Sequence, residues 1–131
     1  MEQNTAKQRV CAYCRVSTKA EKQEQSLISQ IEYFNNLIND NPNYINMGIY
    51  AEKKSGANQI KRSQFLEMIK QCRNRNIDII YTKTVSRFGR NMAQCLKTLE
   101  ELTRIGVRVI FEIENIDSIR DKQNIKIAIK S

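Results

Sequence analysis

Short β-favouring runs alternate with stretches of helical periodicity along the chain, and that alternation limits the fold more than any other feature of the sequence. Residues 10–16, 44–51, 77–82 and 107–113 are apolar, β-branched or aromatic runs of strand length. Between the first two, Leu27, Ile28, Ile31, Phe34, Leu37 and Ile38 recur at helical spacing and predict a helix over 26–39. A breaker cluster, Asn39, Asp40, Asn41, Pro42 and Asn43, ends it and holds the only proline. Ser63 is expected to cap a second helix with Phe65, Leu66, Ile69 and Cys72 inward. Asn91 is expected to cap a third, with Met92, Cys95, Leu96, Leu99 and Leu102 on one stripe and Gly106 at its end. Strand-helix-strand order implies an α/β fold, a mostly parallel four- to five-stranded sheet with helices on both faces.

With 131 residues the chain suits one domain with a modest core. No apolar run reaches the length of a membrane span, and the polar start lacks a signal-peptide core, so a cytoplasmic location without membrane contact is expected. Cys11 and Cys14 form a C-x-x-C, but inside a predicted strand and without a second close pair. Cys72 and Cys95 fall on apolar helix faces. Buried thiols are expected at all four positions, and no metal site.

Net charge is +8, and its placement is informative. From position 53 to 90 there are ten Lys and Arg against Glu67 and Asp78 alone, a net of +8; the remainder holds twelve of each sign. The whole excess therefore lies between the second strand and the third helix. Such a block is the footprint expected for a polyanionic partner such as nucleic acid.

On a strand, Val10, Ala12, Cys14 and Val16 share one face, and Tyr13, Arg15 and Ser17 the other. Ser17 stands at a strand's carboxyl end, where ligands of open α/β sheets bind. Arg15 lies on the same side. A turn-forming Ser17 beside a solvated Arg15 would account for the spacing as well. After the third strand, Arg87 and Arg90 are three apart, so one helical turn would point both the same way. These groups suit phosphoryl transfer: a hydroxyl nucleophile, and guanidinium forks that match phosphate oxygens bidentately.

The wording of these stretches resembles a known family. Tyr13 followed by Arg15-Val16-Ser17-Thr18 is similar to the signature of the serine recombinases, the resolvase/invertase group of site-specific DNA recombinases. Ser26-Leu27-Ile28-Ser29-Gln30 resembles the family's Ser-Leu-x-x-Gln, and the segment from Lys83 to Asn91 its Arg-x-x-Arg. The resemblance runs from about residue 8 to 118 and implies a resolvase-like, Rossmann-like sheet. It also implies that Ser17 attacks DNA to form a 5′-phosphoserine link, with Arg15, Arg87 and Arg90 around the phosphate. No cofactor, metal or ATP is implied. Arg62, Gln30, Lys83, Ser86, Lys53 and Lys54 are the residues expected on DNA or phosphate. The motifs are closest to those of the larger serine recombinases: Ser86 stands where some members have Asp, and Glu52, in the loop after the second strand, where an acidic residue is expected.

The resemblance further implies residues 1–118 as catalytic domain and 119–131 as the start of a truncated C-terminal segment. In the family a long helix begins there, carrying dimer contacts and leading to a DNA-binding domain, with dimers or tetramers in the full-length protein. Ile125, Ile127 and Ile129 alternate as in a strand, so helix and strand both stay open. Rival chemistries fare poorly. The chain has no histidine, which removes a Ser-His-Asp hydrolase and the His-assisted chemistry of tyrosine recombinases. It has no Walker A or G-x-G-x-x-G loop, and its carboxylates are scattered rather than clustered for metal-dependent cleavage. A non-catalytic nucleic-acid-binding α/β module remains the alternative.

Overall fold

A computed structural model describes residues 6–16, 23–52, 62–89 and 91–130, without the side chains of 23–25 and 130. The strands are β1 (Gln8–Arg15), β2 (Tyr44–Glu52), β3 (Ile79–Thr82), β4 (Arg108–Phe111) and β5 (Ile116–Asp117). The helices are α1 (Gln23–Asn39), α2 (Ser63–Arg73), the single turn α3 (Val85–Phe88), α4 (Met92–Arg104) and α5 (Ile125–Lys130). One sheet runs in the order β2-β1-β3-β4-β5, parallel except for the antiparallel pair β4–β5.

Strand β1 is the centre. Val10, Cys11, Ala12, Tyr13 and Cys14 have no exposed surface. Alternation sends Val10, Ala12, Cys14 and Val16 into a cluster with Leu27, Phe34 and Ile38 of α1. Cys11 and Tyr13 enter the opposite cluster, with Phe65, Met68, Ile69 and Cys72 of α2 and Cys95, Leu99 and Leu102 of α4. Helices thus cover both faces, as expected. The same alternation puts Cys11 and Cys14 on opposite sides of the sheet, so the C-x-x-C joins nothing. All four thiols are buried and unbonded.

Several local expectations change. Helix α1 starts at Gln23, ahead of the expected 26. Leu66 is 66% exposed while Met68 is fully buried. Phe65, Ile69 and Cys72 set the phase of α2, and Met68, three residues from Phe65, falls in that stripe whereas Leu66 does not. Ser63 is the first helical residue of α2 and no cap; Arg62 precedes it without a side-chain capping bond. Asn91 does cap α4, its Oδ1 accepting from Gln94 N at 2.8 Å. The tail resolves as a 3-10 turn (Lys122–Asn124) followed by α5, which seats Ile129 in the core and leaves Ile127 exposed. Strand-like alternation there was a coincidence of spacing. Between β1 and β2 the register slips by one residue, where Gly48 takes φ +112, a conformation that favours glycine.

Arg9 and Asp78 tie the start of β1 to the residue before β3. The guanidinium donates through Nε (3.0 Å) and a terminal nitrogen (3.1 Å), and the Arg9 backbone N–H donates to the same carboxylate at 2.8 Å. The Arg9 side-chain bond, more than any other contact, holds the Asp78 carboxyl below its ordinary value. A depressed carboxyl adds stability above the unfolded pKa of about 3.9, lost as pH falls through the lower folded value. The melting temperature should therefore fall on acidification below about pH 4, and less steeply in Asp78→Asn, as differential scanning fluorimetry across pH would record.

Gly89, between α3 and α4, packs against Cys95; a Cβ there would lie 2.7 Å from Cys95 Cβ. Gly89→Ala should cost about 1–3 kcal/mol in urea unfolding through overpacking. Cys95→Ala should not rescue it, because the colliding atom is the Cβ that alanine retains.

Candidate active site at the carboxyl edge of the sheet

Parallel pairing brings the carboxyl ends of β1, β2, β3 and β4 to one edge. Arg15 pairs with Glu52, Tyr13 with Thr82, and Thr82 with Phe111. Arg15 is the last residue of β1 and half-buried. Its Nε donates to Arg87 O at 3.1 Å and a terminal nitrogen to Ser86 O at 2.6 Å. One guanidinium from β1 thereby holds two carbonyls of α3. Arg87 lies beside it. Burial first, and then the neighbouring Arg15 charge, lower the Arg87 pKa from its usual value, yet a guanidinium so shifted stays cationic at neutral pH. Its Nε is buried without a hydrogen-bond partner.

Gln30 reaches this edge from α1. It is 6% exposed, and its Nε2 donates to Arg15 O at 3.4 Å. Its Oε1 is buried without a partner. Buried polar atoms rarely stay unpaired, and these two belong to residues that both contact Arg15, Gln30 through its amide and Arg87 through its carbonyl. Gln30 and Lys83 line a cleft of about 280 Å³. Arg15, Ser86, Glu114 and Ile129 line another of about 480 Å³.

Arg62 approaches from the start of α2. Its guanidinium lies 3.9 Å from the Phe65 ring centroid and 5.5 Å from that of Tyr13, and it donates to Phe88 O at 2.5 Å. Glu52 is the last residue of β2 rather than a loop residue, and it is 2% exposed. Its carboxylate accepts from Phe65 N at 2.8 Å, Gln64 N at 3.4 Å and Tyr13 OH at 3.1 Å. The cap expected from Ser63 is supplied by this distant carboxylate, which meets the free N–H groups and positive end of α2. Tyr13, part of the quoted motif but given no role, is the link: its hydroxyl serves Glu52 while its ring lies under Arg62. Burial, above all, raises its pKa far beyond the physiological range.

Arg15, Gln30, Arg62, Lys83, Ser86 and Arg87 thus gather at one edge, joined by the contacts above. Ser17, Lys53, Lys54 and Arg90 lie outside the described residues. The single turn α3, which carries Arg87, ends at Phe88, and the expectation that one helical turn points Arg87 and Arg90 the same way falls on a residue outside the described ones. Glu114, which no motif singled out, accepts from Val85 N at 3.0 Å. Among the described residues no group of three or more His, Cys, Asp or Glu could hold a metal, and no helix is long and apolar enough to cross a membrane.

The family model for the resolvase N-terminal domain matches residues 10–131. The chain belongs to the resolvase family of serine recombinases. A resolvase-family site-specific recombinase from Streptococcus pneumoniae is similar in structure, with TM-score 0.76 and 31% identity over 93% of this chain and 83% of that one. The catalytic domain of ISC1926 TnpA, an IS607-like serine recombinase, shares the fold with TM-score 0.63 and 23% identity, over 79% of this chain and 67% of that one. So does the N-terminal catalytic domain of TP901-1 integrase, with TM-score 0.61 and 22% identity over 93% of both chains. The resolvase-like α/β fold expected from the motifs is the one found, and a resolvase-family domain of this kind belongs to site-specific recombination.

In this recombinase domain Glu52 supports α2 and, through it, Arg62. Glu52→Ala leaves Phe65 N–H and Tyr13 OH buried without acceptors and should cost about 2–4 kcal/mol in urea unfolding. Glu52→Gln, which keeps an acceptor oxygen, should cost clearly less; equal losses would mean that the charge on the helix end matters more than the hydrogen bonds.

Proposed function

We propose that this recombinase domain cleaves and rejoins double-stranded DNA through Ser17. The Ser17 Oγ forms a bond to phosphorus, the bond from phosphorus to the 3′ oxygen breaks, and a proton leaves the serine while one reaches the 3′ oxygen. The product is a 5′-phosphoserine link and a free 3′-hydroxyl. The ester keeps the bond energy, so rejoining needs no ATP. The observation that carries this reading is the meeting of Arg15 with the Arg87-bearing turn, two residues before Ser17 in sequence. Guanidinium groups fixed in advance can stabilise charge on the non-bridging phosphate oxygens, a role metals fill elsewhere.

Arg90 is assigned to the same phosphate by the Arg-x-x-Arg segment. Gln30, Arg62, Lys83, Ser86, Lys53 and Lys54 are assigned to the flanking DNA. The orphaned Gln30 Oε1 and Arg87 Nε support a ligand at this edge, the first offering an acceptor and the second a donor. Residues 1–118 are the catalytic unit in this reading, and 119–131 begin the segment through which the family dimerises. The reaction takes place in the cytoplasm, on DNA held by two or four copies of the full-length protein.

A nicked suicide substrate tests the proposal with the full-length protein. Wild type should accumulate a 5′-linked adduct on the tryptic peptide spanning residues 16–19, with or without EDTA. Ser17→Ala should bind DNA with unchanged affinity and form no adduct, because no other group can make that ester. An adduct on a tyrosine, an undiminished adduct in Ser17→Ala, or cleavage lost to chelation and restored by Mg²⁺ would count against the mechanism. DNA binding without any adduct in wild type would favour a purely binding module.

A further inference from the structure

Among the described residues, three carboxylates stand at or just beyond the carboxyl ends of the strands at this edge: Glu52, the last residue of β2, and Glu112 and Glu114 after β4. Glu52 is occupied by the N-terminus of α2 and Tyr13. Glu112 accepts from the Tyr33 hydroxyl. Glu114 faces the cleft that Arg15 and Ser86 line, and its Oε1 accepts from Val85 N at 3.0 Å. Position 86 is serine, so the segment bearing Arg87 brings no carboxylate of its own there.

We propose that Glu114 is a positioning residue for strand cleavage, fixing the α3 turn and thereby Arg87, a role that rests on the recombinase reading of this edge. A four-residue helix has too few internal bonds to hold itself. Thr84 precedes α3 in extended conformation; its side chain makes no capping bond to the backbone of the turn and meets the Ser86 hydroxyl instead, at 3.0 Å. The turn is instead held from outside at both ends: Glu114 takes the Val85 N–H, and Arg15 takes the carbonyls of Ser86 and Arg87. Arg62 also takes the Phe88 carbonyl, so loss of Glu114 loosens the turn chiefly at its amino end, and Arg87 moves with it.

Glu114 is itself held in place. Glu112 N donates to Thr82 O and Ile113 N to Lys83 O, both at 3.0 Å, so the turn after β4 runs beside the segment leading into α3. Asn115 then takes φ 56, and its carbonyl accepts from Arg120 at 2.6 Å. The carboxylate is exposed and belongs to neither core cluster. Its partner Val85 is partly buried and packs against the rim of the larger one by its side chain, which loss of Glu114 leaves in place. Loss of the carboxylate should therefore register in cleavage more than in folding.

The test measures the rate of 5′-adduct formation on the suicide substrate at saturating DNA, beside melting temperature and DNA affinity. Glu114→Ala should slow adduct formation about 10- to 100-fold, as small misplacements of a phosphate-binding group do, with DNA affinity within about threefold of wild type. Glu114→Gln keeps the acceptor and should restore the rate to within about threefold, with the wild-type pH profile. Val85→Pro deletes the donor at the first helical position, where proline fits and the extended Thr84 suits a following proline. It should slow cleavage like Glu114→Ala, and the double variant should be no slower than either single one. Cleavage at the wild-type rate in Glu114→Ala would overturn the proposal. So would Glu114→Gln as slow as Glu114→Ala, the mark of a carboxylate that moves protons or supplies charge, or additive losses in the double variant. If Glu114→Ala fails to fold, the glutamine and proline variants decide between the same outcomes. Wild type that binds DNA and forms no adduct would remove the recombinase reading itself, and this role with it.

Discussion

The complete burial of β1 sets the conditions for everything around it. Five successive residues without exposed surface must have their backbone groups paired on both sides and both faces covered. Parallel neighbours β2 and β3 do the first; α1 on one side and α2 with α4 on the other do the second. Parallel pairing then obliges every crossover to return to the same end of the sheet. The carboxyl ends of β1 to β4 therefore meet at one edge, and Arg15 is where β1 reaches it. The position of the reactive stretch follows from the burial of the strand that precedes it.

Loops crowded together at such an edge cannot satisfy their backbone groups through regular secondary structure. This domain uses charged side chains from elsewhere in the chain. Glu52 caps α2 from the end of β2, Arg15 and Arg62 take the carbonyls of α3 and its last residue, and Glu114 takes the first N–H of that turn. A charge-assisted bond to the backbone is stronger than a neutral one, and a buried partner left alone is costly. The guanidinium groups of Arg15 and Arg62 are thus oriented by the protein's own backbone. Holding like charges such as Arg15 and Arg87 side by side is unfavourable until an anion arrives, which fits an edge built for a polyanion.

The acidic residues show a matching division of labour. Asp78 lies inside the basic block of the sequence, yet it pairs with Arg9 at the opposite end of the strands. Glu101 pairs with Arg73 between α2 and α4, and Asp117 with Arg108 between β4 and β5. Ion pairing therefore staples elements together away from the carboxyl edge. Along the stretch from Lys83 to Phe88, cationic side chains outnumber acidic ones, and Glu114 enters from a neighbouring loop.

Periodicity along the chain determined the fold class, the placement of the main strands and helices, and the two faces of β1, because alternation and helical repeat are local properties that burial selects. The Asn91 cap was equally local. The spacing of Phe65, Ile69 and Cys72 already favours Met68 over Leu66 on the inward stripe, and the burial of Met68 follows it. The motifs determined the family, and with it the region of the site. Long-range contacts decided the rest. The α2 cap is Glu52 and not Ser63, since a carboxylate brought close by the β1–β2 register competes with any neighbour in sequence. The helical turn that carries Arg87 stops at Phe88, where Gly89 must fit against Cys95. The tail's alternating isoleucines became a helix that seats Ile129 in the core with Ile125 and Ala128 against it, and leaves Ile127 outside. Glu114 carried no local signal at all: its meeting with Val85 depends on the pairing of β3 with β4, which brings residues far apart in the chain to one edge.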